Sequence, residues 1–284
     1  MLKLGNININ DDRHTYVMGI VNATTDSFSD GGSFIDKDKA IEHAMKLVAD
    51  GADIIDIGAE STRPGFIPVS AQEEIERLVP IIEGIRQRSD VPISIDTYKA
   101  KVAREVLKHG VELINDISFC QDEDMAKAVA KARCAYCLMH NYKNTKDGQQ
   151  INDIQAYQNE LADDNYVSSF MEQSADKIAQ LVKVGVSKDD IIFDPGIGFN
   201  KNYQQNLRLI KALGGMKELG CQLLLGVSRK SVIGNTLDVP VDDRLEGTLA
   251  LTAFAAMQDC KVVRVHDVKE NVRVIKMLEA VLYC

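Results

Sequence analysis

Short apolar, β-branched runs recur along the whole chain: YVMGIVN, DIIDIG, PISID, ELINDI, AYCLMH, IIFDPG, QLLLGVS and KVVRVH. Between them lie segments with helical spacing, such as DKDKAIEHAMKLVADG and SAQEEIERLVPIIEGIRQR, several ending in glycine as helix C-termini commonly do. Continuous apolar strands alternating with amphipathic helices predict a parallel sheet covered by helices. Eight such units in 284 residues fit a (β/α)8 TIM barrel, an α/β fold of about 250 residues, as one domain over 1–284. A doubly wound open sheet is the competitor, but its glycine fingerprint for dinucleotides is absent.

The strand ends carry the chemistry. Asn22, Asp96, Asn115, His140, Asp194, Ser228 and His266 each fall at or just after the C-terminal end of a predicted strand. In a barrel these ends converge on one face, where the βα loops build the active site. An Asp or Asn in such a place can also be the cap of the following helix, and for Asn115 and Asp116 both readings stand. Capping is a poor reading of Asp194, because Pro195 and Gly196 delay the next helix until about Tyr203. His140 reads as a satisfied histidine near the core. Asp56 lies inside a strand and is expected to point into the barrel, either as a pocket acid or as a hydrogen-bonded structural group.

Composition narrows the class further. Hydrophobic residues make up 45% and charged residues 26%, as in a soluble globular enzyme. No apolar run approaches the roughly 20 residues that span a bilayer, and MLKLGNININDDRH lacks the apolar core of a signal peptide. No membrane association and cytoplasmic residence are the expectations. A net charge of −9 argues against nonspecific nucleic-acid binding, although a local basic cluster still admits an anionic substrate. Cys134 and Cys137 form a lone CxxC inside a predicted buried strand, with no second pair to complete a zinc site and no helix to open, so neither metal nor redox work is expected of them.

Eight motifs follow one another in order: MGIVNATTDSFSDGG (18–32), DIGAESTRPG (56–65), ISIDTYK (93–99), INDIS (114–118), LMH (138–140), DPGIGFNKN (194–202), LLLGVSRKSVIG (223–234) and RVHDV (264–268). This succession resembles the dihydropteroate synthase family of pterin-binding enzymes. The resemblance implies condensation of 7,8-dihydropterin-6-ylmethyl diphosphate with 4-aminobenzoate, giving 7,8-dihydropteroate and pyrophosphate for folate synthesis, by a magnesium-dependent homodimer that sulfonamides target. It implies a pterin pocket of Asp96, Asn115, Asp194 and Lys230, with Met139 and Phe199 as apolar walls. It assigns the diphosphate to Asn22, Thr62, Arg63, Arg264, Val265 and His266, with Asn22 also a Mg2+ ligand. It assigns 4-aminobenzoate to Phe28, Arg63, Pro64 and Ser228. Asn22, Arg63, Lys230, Arg264 and His266 would carry the reaction, His266 as a diphosphate ligand rather than a base.

These residue types suit that chemistry. A pterin edge presents N–H donors beside a carbonyl, which carboxylates and Asn or Lys can match. Gly196 and Gly198 let backbone approach a ligand closely. The Gly-, Ser- and Thr-rich loops holding Phe28 and Arg63 are expected to complete the aminobenzoate site only on closing. Two departures from the family pattern stand out: Thr25 replaces a usual proline, and the polar segment after His140 is several residues longer. A pterin-dependent methyltransferase would share the Asp/Asn pocket, but would not need TDSFSDGG, STRPG or SRKS. A noncatalytic pterin-binding paralogue should have lost the diphosphate or aminobenzoate residues, which are all here.

Overall fold

The computed structural model describes residues 2–9, 14–23, 33–60, 69–141, 145–146, 149–150 and 165–284. The chain opens with a small antiparallel hairpin, β1 (Lys3–Leu4) and β2 (Ile7–Asn8), in which Lys3 pairs with Asn8. Then strands and helices alternate. β3 (Tyr16–Asn22) leads to α1 (Ser33–Ala49), β4 (Ile54–Gly58) to α2 (Ala71–Arg86), β5 (Ile93–Asp96) to α3 (Ala100–Val106), and β6 (Leu113–Asp116) to α4 (Glu123–Ala132). β7 (Ala135–Met139) precedes a second short hairpin, β8 (Thr145–Lys146) and β9 (Gln149–Gln150), and then α5 (Tyr166–Val184). β10 (Ile191–Asp194) leads to α6 (Tyr203–Lys211), β11 (Gln222–Leu225) to α7 (Ser231–Leu237) and α8 (Leu245–Met257), and β12 (Val262–Val265) to α9 (Val268–Leu282).

The eight long strands close into one parallel barrel in the order β10-β11-β12-β3-β4-β5-β6-β7. β3 joins β12 in register, with Met18 opposite Arg264 and Gly19 opposite Val265. The eight predicted runs are these eight strands, and α6 begins at Tyr203. Among the described residues no helix is long and apolar enough to cross a membrane.

Side chains alternate across a strand, and here the two faces bury different layers. Val17, Ile55, Ile57, Ile95, Ile114, Leu138, Phe193, Leu225 and Val265 face outward and pack with the helices in the main core. Tyr16, Met18, Ile54, Leu113, Cys137, Ile192, Leu224 and Val262 face inward and fill the lower barrel. Following the inward columns two residues further changes their chemistry: Ile54 gives way to Asp56, Leu113 to Asn115, Ile192 to Asp194, and Val262 to Arg264, while on β3 Ile20 intervenes and Asn22 follows four residues after Met18. The barrel interior is therefore apolar at its base and polar at its mouth.

The N-terminal hairpin seals the base. Leu2, Leu4 and Ile9 are buried among the inward apolar side chains, and the Tyr16 hydroxyl donates to the Asn8 carbonyl at 2.8 Å. The chain then locks to its last helix, where Glu279 accepts from the Thr15 amide at 3.0 Å. The N-terminal stretch carries no run long enough to read as a strand, yet it supplies part of the core.

Leu4→Ala should therefore cost about 2–5 kcal/mol, the usual range for a fully buried leucine. Urea unfolding measures this; a loss below about 1 kcal/mol would detach the hairpin from the cooperative core.

Candidate active site

The polar layer at the mouth is knit around one guanidinium. Arg264, on β12, donates through Nε to Asp56 Oδ2 at 2.6 Å and through Nη2 to Asp96 Oδ2 at 2.9 Å. Asp56 is fully buried and also accepts from Ser94 Oγ at 2.5 Å and Asn115 Nδ2 at 3.1 Å. It is thus a hydrogen-bonded group at the centre of the site, joining two features left as alternatives by the sequence. Burial pulls the Arg264 pKa down, but Asp56 and Asp96 outweigh it and hold the group above the ordinary arginine value. Burial pushes Asp96 up to about 7 against the attraction of Arg264.

Asn115 and Asp116 divide the two roles that the sequence left open. Asn115 faces inward on Asp56, while Asp116 faces outward, accepting from Ser118 N at 2.7 Å and Tyr136 Oη at 2.7 Å. The cap of α4 is neither of them but Asp122.

Asp194 ends β10 and is buried, with Oδ1 accepting from Gly196 N at 2.7 Å. It caps its own turn and not a helix, since Asn202 and Gln205 form the capping box of α6. Burial raises its pKa, partly offset by Lys230 and the Gly196 amide. Its Oδ2 looks across Gly226, where an added Cβ would lie 3.6 Å away, so the position opposite Asp194 is kept free of a side chain. Gly196 has φ +66° and would drive a Cβ to 2.1 Å from the His140 carbonyl oxygen, a place only glycine can fill.

Lys230 reaches the same space. Its Nζ donates to the Ile197 carbonyl at 2.5 Å and stands 4.6 Å from the centre of the Phe199 ring. Burial lowers its pKa to about 8, with Asp194 opposing. The neighbouring Arg229 turns away, forming a two-pronged pair with Asp267 at 3.0 and 2.5 Å. Met139 is buried at the end of β7, paired in register with Asp194.

Ser228 and His266, assigned to different ligands by the resemblance, touch: Ser228 Oγ lies 3.0 Å from His266 Nδ1 and accepts from the His266 amide at 3.2 Å. The His266 ring stands at the open mouth, but surrounding protein bulk with Arg264 and Arg229 holds its pKa down to about 4. It is neutral at physiological pH. Asn22 is exposed at the end of β3. Val265 points outward into the helix-packed core, so only its backbone is available to the mouth. His140 lies outside the polar cluster, its ring 4.9 Å from Phe119 and 4.3 Å from Phe170. Thr25, Phe28, Thr62, Arg63 and Pro64 lie outside the described residues.

One cluster escaped the sequence reading. Glu60, just after β4, accepts from Val69 N at 2.8 Å, Tyr98 Oη at 2.6 Å and Lys99 Nζ at 2.6 Å, and Lys99 also reaches the buried Glu74 at 2.6 Å. Burial raises the Glu60 pKa, yet Lys99, Tyr98 and the Val69 amide together bring it below the ordinary value. The cluster fastens both ends of the segment between residues 60 and 69 to the β5 end. Its signal was the pairing of β4 with β5, which sets Gly58 beside Asp96 and so brings Glu60 near Tyr98 and Lys99.

A family model described as pterin binding enzyme matches residues 18–266. The chain is 48% identical to the dihydropteroate synthase of Clostridium beijerinckii, covering 99% of both sequences. It is also similar to the dihydropteroate synthase of Xanthomonas albilineans solved with 4-aminobenzoic acid, at 33% identity and a TM-score of 0.85, covering 98% of this chain and 96% of that one. The structure of that enzyme in complex with 7,8-dihydropteroate aligns at 31% identity and a TM-score of 0.83, with the same coverage.

Asp194 offers a test of whether the mouth is built for stability or for a ligand. A carboxyl whose folded pKa is raised binds more protons folded than unfolded, so its contribution to stability falls as pH rises from about 4 to the folded pKa. Asp194→Asn keeps the oxygen facing the Gly196 amide and does not titrate. The ligand-free variant should gain stability relative to wild type across that window and hold the gain above it. Thermal unfolding at a series of pH values measures this, and a variant that is less stable at every pH would make Asp194 a structural turn residue.

Proposed function

The chain belongs to the pterin-binding enzyme family, and from that membership and the mouth of its barrel we infer that it is a dihydropteroate synthase, a transferase of folate synthesis. It condenses 7,8-dihydropterin-6-ylmethyl diphosphate with 4-aminobenzoate. The bond from the methylene carbon to the diphosphate oxygen breaks, a bond from that carbon to the arylamine nitrogen forms, and the amine loses a proton. The observation that carries the assignment of the pocket is the linked polar layer at the strand ends, in which Asp96 and Asn115 join Arg264 and Asp56, and Asp194 and Lys230 both lie beside Gly226.

Asp194 and Asp96 present acceptors to the N–H groups of the flat ring. Asn115 commits its Nδ2 to Asp56 and so turns its carbonyl oxygen toward the opening. Lys230 supplies the donor for the ring carbonyl, with Met139 and Phe199 as walls. In this reading Arg264 and neutral His266 serve the departing pyrophosphate, as preorganised donors do in transition-state stabilisation. A neutral arylamine needs no strong base, which agrees with a histidine whose pKa is near 4. Thr62, Arg63, Phe28, Pro64 and Ser228 complete the diphosphate and aminobenzoate sites in this reading.

Magnesium fits the mouth as an ion that arrives largely dressed by its substrate. Among the described residues no group of three or more His, Cys, Asp or Glu is arranged to hold a metal, whereas Asn22 offers one exposed amide oxygen at the end of β3. Mg2+ commonly takes few protein ligands and completes its shell with phosphate oxygens and water. When bound there it would neutralise the charge developing on the leaving group.

A homodimer is the assembly that the surface supports. α8 turns Thr248, Thr252 and Ala255 toward the body of the protein, while Met257 is 62% exposed; on α9, which packs against α8, Met277 is 64% and Val281 59% exposed. A helix apolar on every side is normally buried all round, and a contiguous exposed apolar patch marks an interaction face. A second copy covering α8 and α9 accounts for it; sedimentation giving the mass of two chains is the check, and a monomer overturns it. Six free thiols suit a reducing cytoplasm.

The function is tested by turnover with both substrates, following pyrophosphate release; transfer of a methyl group without pyrophosphate would overturn it. Within that assay Asp194→Asn should weaken binding of a dihydropterin lacking the diphosphate about 10- to 150-fold, equivalent to about 1.5–3 kcal/mol for charge-assisted bonds. Asn22→Ala should leave that binding unchanged and raise the magnesium concentration needed for turnover.

A further inference from the structure

Lys201 closes the DPGIGFNK segment and is not among the residues assigned to any substrate. Its Nζ donates to three backbone carbonyls: His140 at 2.9 Å, Gly196 at 3.0 Å and Phe199 at 3.0 Å. An ammonium has three donors, and all three are spent here. One of the acceptors directly follows β7 and the other two belong to the segment after β10. Three carbonyl dipoles converging on one point repel one another unless a cation sits between them. The crowding is real, since the chain at Gly196 already presses on the His140 carbonyl so closely that no Cβ fits.

Each carbonyl that Lys201 holds leads directly to a wall of the pocket. His140 follows Met139, and its amide donates to the Asp194 carbonyl at 2.8 Å. Gly196 donates its amide to Asp194 Oδ1 at 2.7 Å. Phe199 carries the ring that lies beneath Lys230. A second bridge runs parallel, from Asn200 Nδ2 to Asn141 Oδ1 at 2.7 Å and from Asn141 Nδ2 to the Ile117 carbonyl at 2.7 Å. The segment is thus stapled to β7 by one charged and one neutral link.

We propose that Lys201 is a positioning residue for the pterin pocket, a built-in cation that gathers three carbonyls and thereby sets Asp194, Met139 and Phe199 for the ring. This rests on the pterin reading of the mouth. The ammonium is held at a cost: burial lowers its pKa to about 7, with Lys230 adding to the effect and Asp194 opposing it. Asp96, pushed up to about 7, and Lys230, lowered to about 8, titrate in the same window. Chemical rescue, and not a pH profile, is therefore the discriminating readout.

Calorimetric titration of wild type with a dihydropterin lacking the diphosphate comes first; absence of binding there would overturn the pterin reading itself. Given binding, Lys201→Met should weaken affinity about tenfold or more, with the KM for 4-aminobenzoate little changed. The calorimetric stoichiometry counts folded sites, so partial unfolding lowers the number of sites and not their affinity. Lys201→Ala leaves an empty cradle of three carbonyls, and added propylammonium should restore its pterin affinity while tetramethylammonium, which has no N–H, should not. Should Lys201→Met fail to fold, Lys201→Gln, with two neutral donors, is titrated instead and should fall between wild type and Lys201→Ala. Wild-type affinity in Lys201→Met, or in Lys201→Gln where that stands in, overturns the proposal. So does propylammonium that raises thermal stability without restoring affinity.

Discussion

The guanidinium of Arg264, shared between Asp56 and Asp96, is the interaction on which the mouth of the barrel depends. It crosses from β12 to β4 and β5 and places one positive charge between two carboxylates, with Asp56 closed to water and Arg264 21% exposed. Removing one partner from a buried pair costs about 3–5 kcal/mol, because the other charge is stranded. Asp56 also fixes Ser94 and the amide of Asn115. The orientation of the Asn115 amide is therefore decided by the Asp56 carboxylate.

That network exists because the strands change character along their length. Inward positions are apolar at the base and polar at the mouth, while outward positions remain apolar except at Asp116, which ends β6. The base layer and the helix-facing layer carry the stability. The mouth carries buried charges with displaced pKa values, among them Asp96, Lys230 and Arg264. Stability and chemistry are separated by a rise of two residues along the same strands.

Much of this was legible in the sequence. The eight strands, the start of α6 at Tyr203, and the convergence of Asn22, Asp96, Asn115, Asp194 and His266 followed from apolar runs and polar tips. The partner of Arg264 was not legible, because Asp56 lies 208 residues away in the chain and only barrel closure joins them. Lys201 was hidden for a different reason: its partners are backbone carbonyls, which leave no mark on the sequence. The base hairpin left one faint signal, Gly5-Asn6 between two short apolar pairs, a two-residue connection of the kind hairpins use. Its strands are too short for periodicity, and their burial is decided by distant residues.

That hairpin has a consequence for how the chain is made. Leu2, Leu4 and Ile9 are synthesised long before the strands that bury them, since the surface they cover includes Leu224 on β11 and Val262 on β12. Their burial cannot be complete until nearly the whole chain has been synthesised. During that interval three apolar side chains wait in water on the nascent polypeptide, the kind of exposed surface that invites chaperones and self-association. Closure of the barrel and docking of its stopper are thus late and coupled, and residues made before any barrel strand are among the last to reach their places.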